Sequence, residues 1–166
     1  MIIIGTQYYR PPNPEVANWE EDMAKMKEAG LSLIRTWLYW QQVNPAQGTW
    51  DFAKYDHLFE IAGRTGMKVL IQLSIEIPPE WLIKKYPQGK WIGANGHPVI
   101  PSACSSAQVG TYPGLTIDYD AVKMAAEEFL QKTVKHYRNH AALFGYDVWN
   151  EMKPFGGLKS ILRYLY

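Results

Sequence analysis

The chain has 166 residues, 17 Lys and Arg against 16 Asp and Glu, and a formal charge of +1, a length that suits one domain and a balance that excludes nucleic acid or an anionic membrane as an electrostatic partner. Seven Trp and eleven Tyr are many for this length, and the single Cys104 excludes an intrachain disulfide framework and a CxxC metal site. The run "MIIIGTQYY" has no basic stretch before it and stops at Gly5, too short for a signal peptide or a membrane span, so the expected location is cytoplasmic.

Short β-branched runs alternate with stretches at helical spacing, the pattern of βα units around a parallel sheet. The first strand is expected over Ile2 to Gln7. A helix follows in "NWEEDMAKMKEAG", with Asn18 and Glu21 as a capping box, Trp19, Met23 and Met26 as its buried stripe, and Gly30 at its stop. The second strand is expected over Leu31 to Trp37. Asp51 then caps a helix whose Phe52, Tyr55, Phe59 and Ala62 recur at three- and four-residue steps before Gly66. The third strand, Lys68 to Ser74, is nearly continuous apolar, as a strand covered on both faces would be.

The next long helix begins near Asp120, with Val122, Ala126, Phe129, Thr133 and Tyr137 on one face, so roughly 45 residues intervene without a strong long-period signal. Inside that loop "PPEWLIKKYP" reads as a short helix with Pro79 at its first turn. The fourth strand is expected over Ala142 to Asn150, and "GLKSILRYLY" opens a further helix that meets Tyr166 without a stop signal, the pattern of a truncated product.

Four such units make half of an eight-stranded barrel, with an open flavodoxin-like sheet as the competitor. No GxGxxG or GxxxxGK[ST] supports a nucleotide-binding sheet. The strand ends favour the barrel, because Gln7, Arg35, Trp37, Glu76, Asn150 and Glu151 would gather at the C-terminal face, where barrel enzymes place their chemistry. The fold expected is therefore α/β, a partial (β/α)8 TIM barrel over residues 1–166, completed by oligomerisation.

Glycoside cleavage needs an acid that protonates the departing oxygen and a second carboxylate that attacks the anomeric carbon or activates water. Glu151 is the candidate acid, with Trp149, Met152 and Phe155 close in sequence to hold its proton on, and Asn150 is placed to bond a sugar hydroxyl. The competing reading of "NE" is an ordinary capping pair at a helix start. Trp37, Tyr39, Trp40, Trp81 and Trp91 offer faces to sugar rings; the alternative is core packing, equally weighted for Trp37 and Trp40, and for Trp81 an anchor of the long loop, while Gln7 either reaches substrate or caps the interior. His57, His136 and His140 are scattered, His97 and Cys104 lack further ligands, and Ser102, Ser105 and Ser106 sit in no nucleophile elbow, so no metal, no cofactor and no serine nucleophile is expected.

The stretches "GTQYYRPPNPEVANWEEDMAKMKEAGLSLIRTWLYWQQVNPAQGTWDF", "PPEWLIKKYP" and "WNE" resemble the N-terminal half of family 42 β-galactosidases, retaining glycoside hydrolases of the large barrel clan. The resemblance runs to about Met152. It implies an acid/base role for Glu151 beside Asn150, and a place for Arg35 near the nucleophile. "VWNE" stands where many members have "IDNE", and the cysteine cluster that some members use for zinc is absent. The nucleophile of the clan is a Glu at the end of strand seven, which four units do not reach. Activity of this chain alone is accordingly expected to be weak or nil on its carbohydrate substrate, a β-galactoside or related glycoside. A homodimer or larger even assembly would complete the barrel and bring Glu76 of a second copy toward Glu151 as a nucleophile substitute. The alternative is a catalytically silent half barrel that binds carbohydrate or serves as a scaffold.

Overall fold

The computed structural model describes residues 2–8, 14–75, 77–93, 95–98 and 114–148. Its centre is one four-stranded parallel sheet in the order β1-β2-β3-β4, with β1 Gly5–Gln7, β2 Leu33–Tyr39, β3 Lys68–Ser74 and β4 Leu143–Asp147. Sequential strands pairing in parallel, each return made through helix, is the arrangement expected of successive βα units. Gln7 pairs with Arg35, Trp37 with Gln72, and Gln72 with Asp147, so the last residues of the outer strands lie level with the middle of β2 and β3. A register shift falls between Val69 and Leu70, opposite Phe144.

The two sheet faces differ because strand side chains alternate. Ile34, Leu38, Val69, Ile71 and Leu73 join one core with Met23, Leu58, Phe59, Val122, Ala126 and Phe129 from the helices. Burying each of these side chains other than Ala126 contributes about 1.5–3 kcal/mol. The other face carries Arg35, Trp37 and Tyr39 of β2, and Trp37 and Tyr39 form a separate small cluster with Ile77.

The helices are α1 Trp19–Glu28, α2 Trp40–Val43, α3 Ala53–Thr65, α4 Glu80–Lys85 and α5 Asp120–Tyr137. Trp19 and Met23 are buried in α1 as the stripe requires, and Met26 is partly buried against the same core. The capping box is not formed. A 3-10 turn over Val16–Asn18 runs directly into α1, Asn18 already has helical angles (φ −93°, ψ −10°) and makes no side-chain cap bond, and Glu21 pairs instead with Lys25 at 2.6 Å. An N-cap residue needs extended angles to turn its side chain onto the helix's free N–H groups. Asp51 does cap α3, its Oδ1 accepting from the Ala53 amide at 2.9 Å. Gly66 ends that helix at φ 69°, a left-handed angle that favours glycine.

The face written into α5 is the face buried: Val122, Ala126, Phe129, Thr133 and Tyr137. The short helix expected after Pro79 is α4, with Pro79 itself the extended residue that precedes it. The four-residue α2 was not expected, and β2 runs two residues past Trp37 to reach it. Among the described residues no helix is long and apolar enough to cross a membrane.

Candidate active site on the inner sheet face

Three strands converge on one guanidinium. Arg35 stands on β2, donates through Nε and Nη2 to Oδ2 of Asp147 at 2.8 and 2.6 Å, and through Nη1 to Oε1 of Gln7 at 2.9 Å. Gln7 closes β1 and Asp147 closes β4, so Arg35 ties both outer strands of the sheet to an inner one. The Arg35 and Asp147 side chains are 18% and 28% exposed, so the pair is screened less than a surface ion pair, whose median worth is about 0–1 kcal/mol. The Trp37 ring lies with its centroid 5.9 Å from Cζ of Arg35, within cation–π range. Tyr39 follows, its ring 5.9 Å from that of Trp37.

On β3 the same face carries Gln72 and Ser74, both fully buried, with the Ser74 hydroxyl donating to Gln72 Oε1 at 2.6 Å. The face is therefore polar and hydrogen-bonded at its centre and aromatic above β2.

Of the residues expected to form a site, the structure brings Gln7, Arg35 and Trp37 together. It separates Trp40, which is 1% exposed in the helix-side core, stacked on Phe129 at 5.1 Å, with its Nε1 donating to Asn44 Oδ1 at 3.3 Å. Trp81 packs at the edge of that core and donates from Nε1 to the Asn44 carbonyl at 3.1 Å. Both indoles thus frame the loops around Asn44. Glu76, Asn150, Glu151 and Cys104 lie outside the described residues. Sequence reasoning passed over Asp147, Gln72 and Ser74; the signal for Asp147 was its period-2 relation to Glu151, four residues on.

The phenols around the site are structural. Tyr55 accepts the Tyr39 amide at 2.9 Å and donates to Gln42 Oε1 at 3.0 Å, and burial drives its pKa well above the ordinary tyrosine value. Tyr8, just after β1, donates to Asp22 Oδ2 at 2.8 Å; burial, then the bond and the charge of Asp22, push its pKa strongly upward. Among the described residues no group of three or more His, Cys, Asp or Glu is arranged to hold a metal ion.

Known proteins match this architecture. The model of glycoside hydrolase family 42, described as beta-galactosidase, matches residues 8–156. Beta-galactosidase BgaH of Haloferax lucentense is 32% identical over 98 residues, 58% of this chain and 15% of that protein. Beta-galactosidase LacZ of Heyndrickxia coagulans is 26% identical over 148 residues, 86% of this chain and 20% of that protein. The solved beta-galactosidase of the Antarctic haloarchaeon Halorubrum lacusprofundi superposes with a TM-score of 0.77 at 24% identity, covering 91% of this chain and 21% of its own. That of Bacillus circulans sp. alkalophilus gives 0.76 at 22%, covering 95% and 22%. The chain spans about a fifth or less of the length of these curated relatives. The parallel four-stranded sheet and its helices are consistent with part of a (β/α)8 barrel, and the chain belongs to glycoside hydrolase family 42, the beta-galactosidase family.

Proposed function

We propose that residues 1–166 are the acid-bearing part of a retaining β-galactosidase barrel, contributing strands β1 to β4. Glu151 protonates the glycosidic oxygen as its bond to the anomeric carbon breaks, and a carboxylate from outside the four strands attacks that carbon. Water then cleaves the glycosyl intermediate, with the Glu151 carboxylate taking a proton from that water as its oxygen bonds to the anomeric carbon and the attacking carboxylate is released. Asn150 bonds a sugar hydroxyl, Arg35 and Gln7 fix the floor, and Trp37 lies beneath. The observation that carries this reading is the family match, which continues through residue 156 and so spans Asn150 and Glu151.

The test is binding of a thio-linked β-galactoside, which cannot be hydrolysed, followed by saturation transfer from the protein to the sugar ring protons. Transfer that weakens in Asn150→Ala supports the reading; equal transfer in the two chains contradicts it.

The same reading includes a second copy as the source of the missing strands and, through Glu76, of the attacking carboxylate. Both edge strands carry exposed apolar side chains: Ile2, Ile3 and Ile4 ahead of β1 at 88%, 46% and 54% exposure, and Phe144 and Val148 on or beside β4 at 50% and 68%. Unpaired strand edges with apolar side chains favour pairing with another chain. Sedimentation equilibrium decides this part, an even assembly supporting it and a monomer at all concentrations contradicting it. A cytoplasmic location, resting on the single Cys104, completes the proposal.

A further inference from the structure

We infer that Asp147 is a specificity-determining residue of the galactoside site, its Oδ1 accepting a hydrogen bond from a ring hydroxyl of the sugar; this rests on the reading of the inner sheet face as that site. Arg35 donates to Asp147 from Nε at 2.8 Å and from Nη2 at 2.6 Å, and both bonds fall on Oδ2. A guanidinium fork that meets a carboxylate for anchorage alone commonly engages both oxygens in parallel. An ionised carboxylate offers about four acceptor sites on its pair of oxygens. The bridge draws on Oδ2 only, and among the described residues Oδ1 takes no hydrogen bond.

The strand turns this side chain toward the inner face. Tyr146, one residue earlier, belongs to the helix side, where its hydroxyl is directed to the Val134 carbonyl at 3.4 Å, so Asp147 projects from the opposite face. In register it stands level with Gln72 of β3, which stands level with Trp37 of β2. Within that row Gln72 is fully buried and Trp37 is 3% exposed, whereas the Asp147 side chain is 28% exposed. A molecule arriving over β4 therefore meets the carboxylate before the rest of the row. The neighbouring amide oxygens are already engaged, Gln7 Oε1 by Arg35 Nη1 at 2.9 Å and Gln72 Oε1 by the Ser74 hydroxyl at 2.6 Å. A hydroxyl donor reaching this face finds its strongest acceptor at Asp147, because a bond to an ionised oxygen is roughly twice as strong as one between neutral groups. Replacing a sugar hydroxyl by fluorine nearly keeps its size and removes the proton that such a bond needs.

The experiment measures, by saturation-transfer titration on the whole chain, dissociation constants for methyl 1-thio-β-galactoside and for its analogues in which fluorine replaces the hydroxyl at C2, C3 or C4. Wild type is expected to bind one of these analogues about tenfold or more weakly than the parent, the loss of a hydrogen bond to a charged acceptor. Asp147→Asn keeps an oxygen for Arg35 and sets an N–H where Oδ1 stood, so the penalty for that analogue is expected to shrink to about twofold or less, since the amide no longer asks the sugar for a proton. A residue that only ties strands together would weaken parent and analogues alike and leave their ratio as in wild type. Equal binding of the parent and every analogue by wild type, or a penalty that Asp147→Asn leaves unchanged, would overturn the inference. Where circular dichroism shows Asp147→Asn unfolded, Asp147→Glu takes its place: it keeps the charge for Arg35, displaces the acceptor by one methylene, and is held to the same two outcomes. Failure of the galactoside reading is recognised separately, as no binding of the parent by wild type, and overturns both.

Discussion

Oδ1 of Asp56 in α3 accepts a hydrogen bond from the Tyr137 hydroxyl at the end of α5, 2.8 Å away and 81 residues on in the chain. The same oxygen meets Nε2 of His136 at 2.7 Å, and the His136 ring stacks on Phe52 at 4.4 Å. Two helices that return the chain behind β2 and β3 are thus clasped at one carboxylate. Tyr137→Phe is expected to cost about 1 kcal/mol, one hydrogen bond with the ring retained. Asp56→Ala is expected to cost more, about 2 kcal/mol, because it strands the hydroxyl of a tyrosine that is 1% exposed. Denaturant unfolding of the two variants gives both values and their order.

Stability should fall in alkali. Burial, followed by the bond to and charge of Asp56, raises the Tyr137 pKa; Tyr8 and Tyr55 are raised for the reasons already described. The unfolded phenols release protons near pH 10 while the folded ones retain them. The native state then binds more protons than the unfolded state, so stability is complete below pH 10 and is lost as pH rises beyond it. Thermal midpoints measured from pH 8 to pH 11 are expected to drop above about 10, and the drop is expected to be smaller in Tyr55→Phe.

Trp40→Ala should be among the most damaging single changes. The ring is 1% exposed and stacked on Phe129, so its removal leaves a cavity where the end of β2 meets α5. Losses of about 3–5 kcal/mol accompany such truncations. Sugar affinity measured on folded Trp40→Phe should match wild type, because the indole lies on the helix side of the sheet.

Two glycines of the third helix region should respond in opposite directions. Gly63 lies inside α3 with nothing within 4 Å of an added Cβ, so Gly63→Ala is expected to stabilise by about 0.5–1 kcal/mol. Gly66 sits at φ 69°, and Gly66→Ala is expected to cost about 1 kcal/mol or more. A pair of melting curves checks the contrast.

Periodicity made some elements readable to the residue. β3 and the beginning of α5 stand where they were expected, because a continuous apolar run and a five-residue buried stripe leave little choice of period. Trp37 and Trp40 show where that reading lost resolution. Ending β2 at Trp37 made the two indoles equivalent, whereas the strand continues to Tyr39 and places Trp37 on the inner face, and Trp40 starts a helical turn that drops into the opposite core. The four-residue α2 is too short to leave a periodic trace. Asn18 kept its capping composition but lost its capping angles to the preceding 3-10 turn, a choice made by backbone continuity that residue types do not report. Arg35 was legible as a strand-end cation, but its partner Asp147 lies 112 residues away and needed the register of four strands to be found.

The central claim is that Glu151 is the acid of a β-galactoside-cleaving site, and turnover of a chromogenic aryl β-galactoside by wild type and Glu151→Gln, over a series of protein concentrations, tests it most directly. The account predicts slow release by wild type that rises more steeply than in proportion to protein concentration, as an assembled site requires, and loss of that release in Glu151→Gln. Equal release by the two proteins would contradict it.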